Sequence, residues 1–327
     1  MSQQSYLARH RQGRLYGPVE QPIVLRSGFD VKDFTYRAQG SLRPQLDLAA
    51  FDRAPLDPAV LEDLRYLRDM ERSTMGQVRS VVVSYTNKES RVAAFLTTWA
   101  YERHWIADAY QAVLDAHGPH AGAPQPPEHS WVERVETALD NLSPMVDSVW
   151  TNFSGEAVVA GQTARGWSQE ASTRAVLRML ERRAGHPELS SLLRRVAEVK
   201  ATHERFFAEE TTARVRTDPR AQRFARAYLT FAFHPLRPVG LSHAYARRFL
   251  RDLAPTVAQR RELFALADEP LQATPGTAGS EPLRRAVERE WRLSRYAPHQ
   301  TLPPASRSAR VATAPTAHPF PSTGGSR

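Results

Sequence analysis

Five ionisable side chains in this sequence stand where an apolar residue is expected. Four long segments carry apolar residues at the three-to-four spacing of one helix face, and a charge interrupts each series. The first runs Val60, Leu64, Leu67, Glu71, Val78, Val82, and the second Val92, Leu96, Trp99, Arg103, Ile106, Tyr110, Val113. The third runs Val159, Thr163, Gly166, Glu170, Thr173, Leu177, Leu180, and the fourth Leu189, Leu193, Val196, Lys200, His203, Phe207. Carboxylates and an imidazole gathered in a core are ligands for a metal ion. A guanidinium and an ammonium beside them are instead partners for ion pairs. A buried charge needs one or the other.

The spacing repeats. Arg103 follows Glu71 by thirty-two residues and Lys200 follows Glu170 by thirty, so two helix pairs each hold an inward carboxylate and then an inward cation. The elements that carry them are delimited by turn and cap residues. Asp57-Pro58 is an N-cap with proline at the first helical position, and periodicity continues to about Tyr85. Thr86 and Glu89 form a capping box for a second helix that stops at Gly118. Four prolines and two glycines in 118–127 prevent a helix there. A further helix is expected over 131–142, broken by Ser143-Pro144. The third long segment covers 156–184 and ends in Gly185-His186-Pro187, and the fourth runs from 188 to 214.

Shorter helices are expected at about 220–233, 242–253, 256–267 and 282–295, and no strand alternation is present. The class is all-α. Residues 1–54 read as an N-terminal arm, extended and laid over the domain; 55–297 form the helical domain, with a core bundle at 57–215 and accessory helices at 219–297. Residues 298–327 have little to bury and read as a disordered tail.

Glu71, the Trp99-Ala-Tyr-Glu-Arg-His-Trp-Ile106 segment, Glu170 and Lys200-Ala-Thr-His203 resemble the ligand frame of the ferritin-like di-iron carboxylate proteins. Phe95–Leu114 and Glu170–Phe207 are similar to the acyl-carrier-protein desaturase group and its bacterial relatives, and the likeness spans about residues 57–270. The resemblance implies a ferritin-like four-helix bundle. It also implies a ligand rule of Glu followed by Glu-x-x-His, twice, around two irons. Matched position by position, Glu71 and Glu170 keep the single carboxylates, Arg103 and Ile106 take the first Glu-x-x-His, and Lys200 and His203 take the second. Two missing carboxylates are cations, which repel a metal ion. The two glutamates and the two cations balance without one, so a buried ion-pair cluster and no cofactor are expected.

Three functional readings follow. The first is a desaturase-related protein without its metal centre, a non-catalytic binding or scaffold protein taking an acyl or other apolar ligand, an acidic partner such as a carrier protein, or a second copy of itself. The second is an iron-dependent oxidoreductase of desaturase or oxygenase type with an altered site, its metal held by Glu71, Glu170 and His203. The third is a basic nucleic-acid-binding module. In an alternative register Tyr101 and His104 take the first Glu-x-x-His, and in a blander reading Arg103 snorkels to solvent with Glu102 and His104 as surface neighbours. His203-Glu204-Arg-Phe-Phe207 is no zinc-protease motif, because Phe207 stands where the second histidine is required. Trp99, Trp105, Trp167, Phe206 and Phe207 are assigned to core packing.

Composition sets the frame. The chain has 327 residues, no cysteine and a net charge of +9, which excludes disulfides, thiolate nucleophiles and cysteine-based metal sites. Of 44 basic residues only Lys32, Lys88 and Lys200 are lysine, a bias that weakens the step from high charge to nucleic acid, so that partner is not expected. Within 214–252 the arginines at 214, 216, 220, 223, 226, 237, 247, 248 and 251 face only Asp218 and Asp252. Neither a signal-peptide core nor an apolar run of about 18 residues is present, so a cytoplasmic location without a membrane partner is expected.

Overall fold

The computed structural model describes residues 27–82, 89–119, 121, 157–231 and 233–294, with the side chains of 79–82 and 291–294 left out. The expected helix at 131–142, Thr86, the tail after 297 and the start of the arm lie outside the described residues. Every regular element within them is helical: α1 Val31–Tyr36, α2 Ala49–Arg53, α3 Pro58–Arg72, α4 Thr74–Val82, α5 Ser90–Ala116, α6 Ala157–Ala184, α7 Pro187–Thr217, α8 Pro219–Thr230, α9 His243–Leu253, α10 Val257–Asp268 and α11 Pro282–Ser294. None of these helices is long and apolar enough to cross a membrane.

Local chemistry sets the boundaries. Asp57 caps α3 by accepting from the Ala59 amide, with Pro58 in the first turn. The first long segment is not one helix to Tyr85: it breaks at Ser73. There the Ser73 hydroxyl donates to the Met70 carbonyl (2.7 Å) and the Thr74 hydroxyl to the Glu71 carbonyl (2.5 Å), side-chain bonds that compete with the helical ladder. Glu89 precedes α5 but makes no side-chain cap bond, and its carboxylate pairs with Arg214 instead. Gly118, at φ +94°, follows the end of α5, and Gly185, at φ +59°, turns α6 into α7. His186 then caps α7, its Nδ1 accepting from the Leu189 amide at 3.3 Å.

Among the described residues the α6–α7 hairpin is the most extensive packing, followed by α8 on α6 and α3 on α5. Residues 27–54 differ from an extended arm. They hold α1, a 3-10 turn at Arg43–Gln45 and α2, and they bury Phe29, Phe34, Leu42 and Phe51. Each such side chain contributes roughly 1.5–3 kcal/mol of burial, so this segment belongs to the core.

The core is divided. One apolar cluster joins Leu67 and Met70 of α3, Ile106 and Tyr110 of α5, Leu177 of α6 and Val196 of α7 to α9, α10 and α11. The other joins Phe29 and Phe34 to Phe95 and Trp99 of α5, Trp167 of α6, Phe206 and Phe207 of α7, and α8. Between Trp99 and Ile106 lie Glu102 and Arg103; between Val196 and Phe206 lie Lys200 and His203; between Trp167 and Leu177 lies Glu170. A charged layer therefore separates two apolar halves.

Candidate functional site

Four helices feed this layer. Glu71 comes from the last turn of α3, Glu102 and Arg103 from the middle of α5, Glu170 from α6, and Lys200 and His203 from α7. All six are buried, none more than 4% exposed. Arg103 does not snorkel. Its Nε donates to Glu71 Oε2 at 2.5 Å, one terminal nitrogen donates to the Met70 carbonyl at 3.1 Å, and its guanidinium carbon lies 4.6 Å from the centroid of the Trp99 ring. The Trp99 indole in turn donates to Glu170 Oε1 at 2.8 Å.

Lys200 holds the centre. Its Nζ lies 2.8 Å from Glu71 Oε1 and 3.3 Å from Glu170 Oε2, so one ammonium bridges the two carboxylates that begin the two helix pairs. Burial alone would raise the Glu170 pKa, but Lys200 and then His203 and Arg103 outweigh it and hold that carboxyl below its ordinary range.

Glu102 is the residue that helix periodicity misses. The blander reading places it on the surface beside His104, yet it is 4% exposed and its Oε2 lies 2.6 Å from His203 Nε2. Its other oxygen accepts from the Gln39 amide at 2.6 Å. On a straight helix Glu102 sits off the apolar stripe, but α5 is covered on a second side by residues 29–40, so two of its faces are interior. One available signal is the inward histidine, since a buried ring nitrogen needs a partner. Burial would lower the His203 pKa, but the hydrogen bond to Glu102 and the proximity of Glu170 raise it, favouring imidazolium. Lys200 already occupies the carboxylates of Glu71 and Glu170, so an inward imidazole needs an acceptor of its own. Glu102 supplies it.

The other candidate positions separate. Ile106 is 1% exposed and packs in the apolar cluster below the layer. Tyr101 is 48% exposed and His104 is exposed, so the alternative register on α5 does not join the site. Trp99, Trp167, Phe206 and Phe207 are buried, and Trp105 is half-buried with its ring 6.1 Å from Tyr101. Beside Trp99 a slot runs between α4, α5, α6 and α7, lined by Gln77, Val92, Leu96, Thr163 and Phe207. Arg214 does not belong to a basic surface. It is 3% exposed and pairs with Glu89 and Glu210, the latter also held by Arg91 and Ser27.

Among the described residues no three histidine, aspartate or glutamate side chains are arranged to hold a metal ion. The donor chemistry gives the reason. The lone pairs of Glu71 and Glu170 that would face a shared ion face the Lys200 ammonium, Arg103 takes the second oxygen of Glu71, and Glu102 is engaged by His203. A di-iron ligand set does not fit these residues, and neither does one ion on Glu71, Glu170 and His203 while Lys200 stands between the carboxylates. The arrangement is an interior ion network that links four helices, with Lys200 and Arg103 both meeting Glu71 and Lys200 also meeting Glu170.

Comparison with models of known protein families, with curated proteins and with solved structures finds no match to this chain.

Proposed function

We propose that this chain is a ferritin-like helical protein related to the acyl-carrier-protein desaturases, in which an ion-pair network stands in place of the metal centre. It serves as a non-catalytic binding or scaffold protein. The observation that supports this most directly is the Lys200 ammonium, 2.8 Å from Glu71 and 3.3 Å from Glu170. On this reading the ammonium does the work of a bridging cation: it neutralises two carboxylates that would otherwise repel one another. A fixed organic cation cannot change valence or open a coordination position, so the network stabilises and positions helices and performs no redox step.

The reading assigns interactions to surfaces and slots, the apolar slot beside Trp99 among them, and leaves the charged layer to architecture. Elemental analysis of purified protein tests it. Iron far below one atom per chain and no oxygen uptake with a reductant are expected, whereas about two irons per chain would overturn the proposal.

A further inference from the structure

The basic stretch after residue 214 is divided by the fold. Arg214 is turned inward and neutralised, while Arg216 at the end of α7 and Arg220, Arg223 and Arg226 on α8 are exposed. Among the described residues none of these four has an acidic partner. Asp218 is engaged as the N-cap of α8, accepting from the Arg220 amide at 2.8 Å, and the nearest acid on the same side of α7, Glu209, is two turns back.

The row is costly to the free protein. Arg220, Arg223 and Arg226 repel one another at three-residue spacing, and Arg220 opposes the positive end of the α8 dipole. Among the described residues no acidic side chain offsets this. The face ends in Phe231, 73% exposed although apolar. Arg165, stacked 4.5 Å from the Tyr228 ring, and Arg289, which donates to the Thr230 carbonyl, add positive charge at the same end.

We propose that the solvent face of α8, Arg220, Arg223 and Arg226 with Arg216 and Phe231 at its ends, docks the phosphate backbone of a single-stranded nucleic acid. Arg220 to Arg226 span about 9 Å of helix, room for successive phosphates of one strand. Guanidinium forks match phosphate oxygens, and the exposed ring gives a base a surface to stack on. A membrane surface suits the face less well, because the apolar side of α8 (Ala221, Ala225, Leu229) is buried against the protein and leaves no stripe to insert.

Fluorescence anisotropy of full-length protein with a labelled oligothymidylate of about 20 nucleotides at about 50 mM salt tests this. The triple variant Arg220→Ala, Arg223→Ala, Arg226→Ala is expected to bind at least about tenfold more weakly, with the salt slope reduced by about 2. Phe231→Ala is expected to lose at least about fivefold. A control of equal charge change at the other end of α6, Arg178→Ala, Arg251→Ala, Arg261→Ala, is expected to change affinity less than twofold. The proposal is overturned if the wild type does not bind, if the control loses as much as the α8 variant, or if polyglutamate competes as well as the oligonucleotide. Binding to phosphatidylserine vesicles alone, lost in the α8 variant, would reassign the face to membranes. All substitutions are at exposed positions, and thermal unfolding checks that each variant folds.

Discussion

Lys200 and Glu71, 129 residues apart in sequence, form the contact that ties α7 to α3, with Nζ 2.8 and 2.9 Å from the two carboxylate oxygens. Both are about 1% exposed, so neither has water as an alternative partner. Lys200→Met is expected to cost ~3–5 kcal/mol by stranding two carboxylates. Lys200→Met with Glu71→Gln is expected to cost clearly less than the sum of the two single changes. Urea denaturation of the four proteins measures the coupling, and additive costs would show that the contact carries none.

The Glu102–His203 pair makes stability depend on pH. A histidine whose pKa is raised by folding adds stability at pH values below its unfolded value, about 6.5, and that contribution fades as the pH climbs through the folded value. Thermal unfolding from pH 6 to 9 is expected to show a falling limb in the wild type that His203→Gln flattens. An equal slope in both would assign the limb elsewhere.

Glu290 gives the opposite limb. Burial would raise its pKa, but His234, with Nε2 3.7 Å away, and His243, hydrogen-bonded at 2.6 Å, bring it down to about 2. Its contribution is present above the ordinary carboxylate value of 4.5 and is lost as the pH falls toward 2. Acid unfolding of Glu290→Gln is expected to be shallower than that of the wild type in this window, and identical acid limbs would rule the residue out.

Gly166 is fixed by contact. A Cβ there would lie 2.6 Å from the Phe207 ring, in the wall of the slot beside Trp99. Gly166→Ala is expected to destabilise by ~1–3 kcal/mol through overpacking, and Gly166→Ala with Phe207→Leu to recover part of it. No change in melting temperature for the single variant would mean that the hairpin yields freely.

The proposed ferritin-like reading gives a constructive test. Arg103→Glu, Ile106→His and Lys200→Glu together restore the ligand types the rule requires. Iron bound per chain, measured after reconstitution, is expected to rise from background. Failure of the folded triple variant to take up iron would count against that reading.

Arg103, Glu170, Lys200 and His203 were legible because α5, α6 and α7 are long enough for one apolar stripe to declare itself, and a charge within it stands out. Glu102 was not, because a stripe describes one interior face and α5 has two. The second is made by Phe29 and Phe34, from a segment whose sequence has no long-range periodicity to announce that it packs. The break at Ser73 was hidden for a related reason: hydroxyl side chains cap or continue a helix according to neighbours that the local sequence does not name. Arg214 counted as surface charge until Glu89 and Glu210 closed around it.

The six-membered layer also constrains how this protein can change. Each of Glu71, Glu102 and Glu170 is engaged by Lys200, Arg103 or His203, so altering any one strands a partner in a dry interior. Substitutions there are tolerated in compensating pairs, and drift at Glu71, Glu102 or Glu170 is coupled to drift at Lys200, Arg103 or His203. A set of related sequences should therefore show these positions switching together, carboxylate with cation, while Ile106 beside them varies alone among apolar residues.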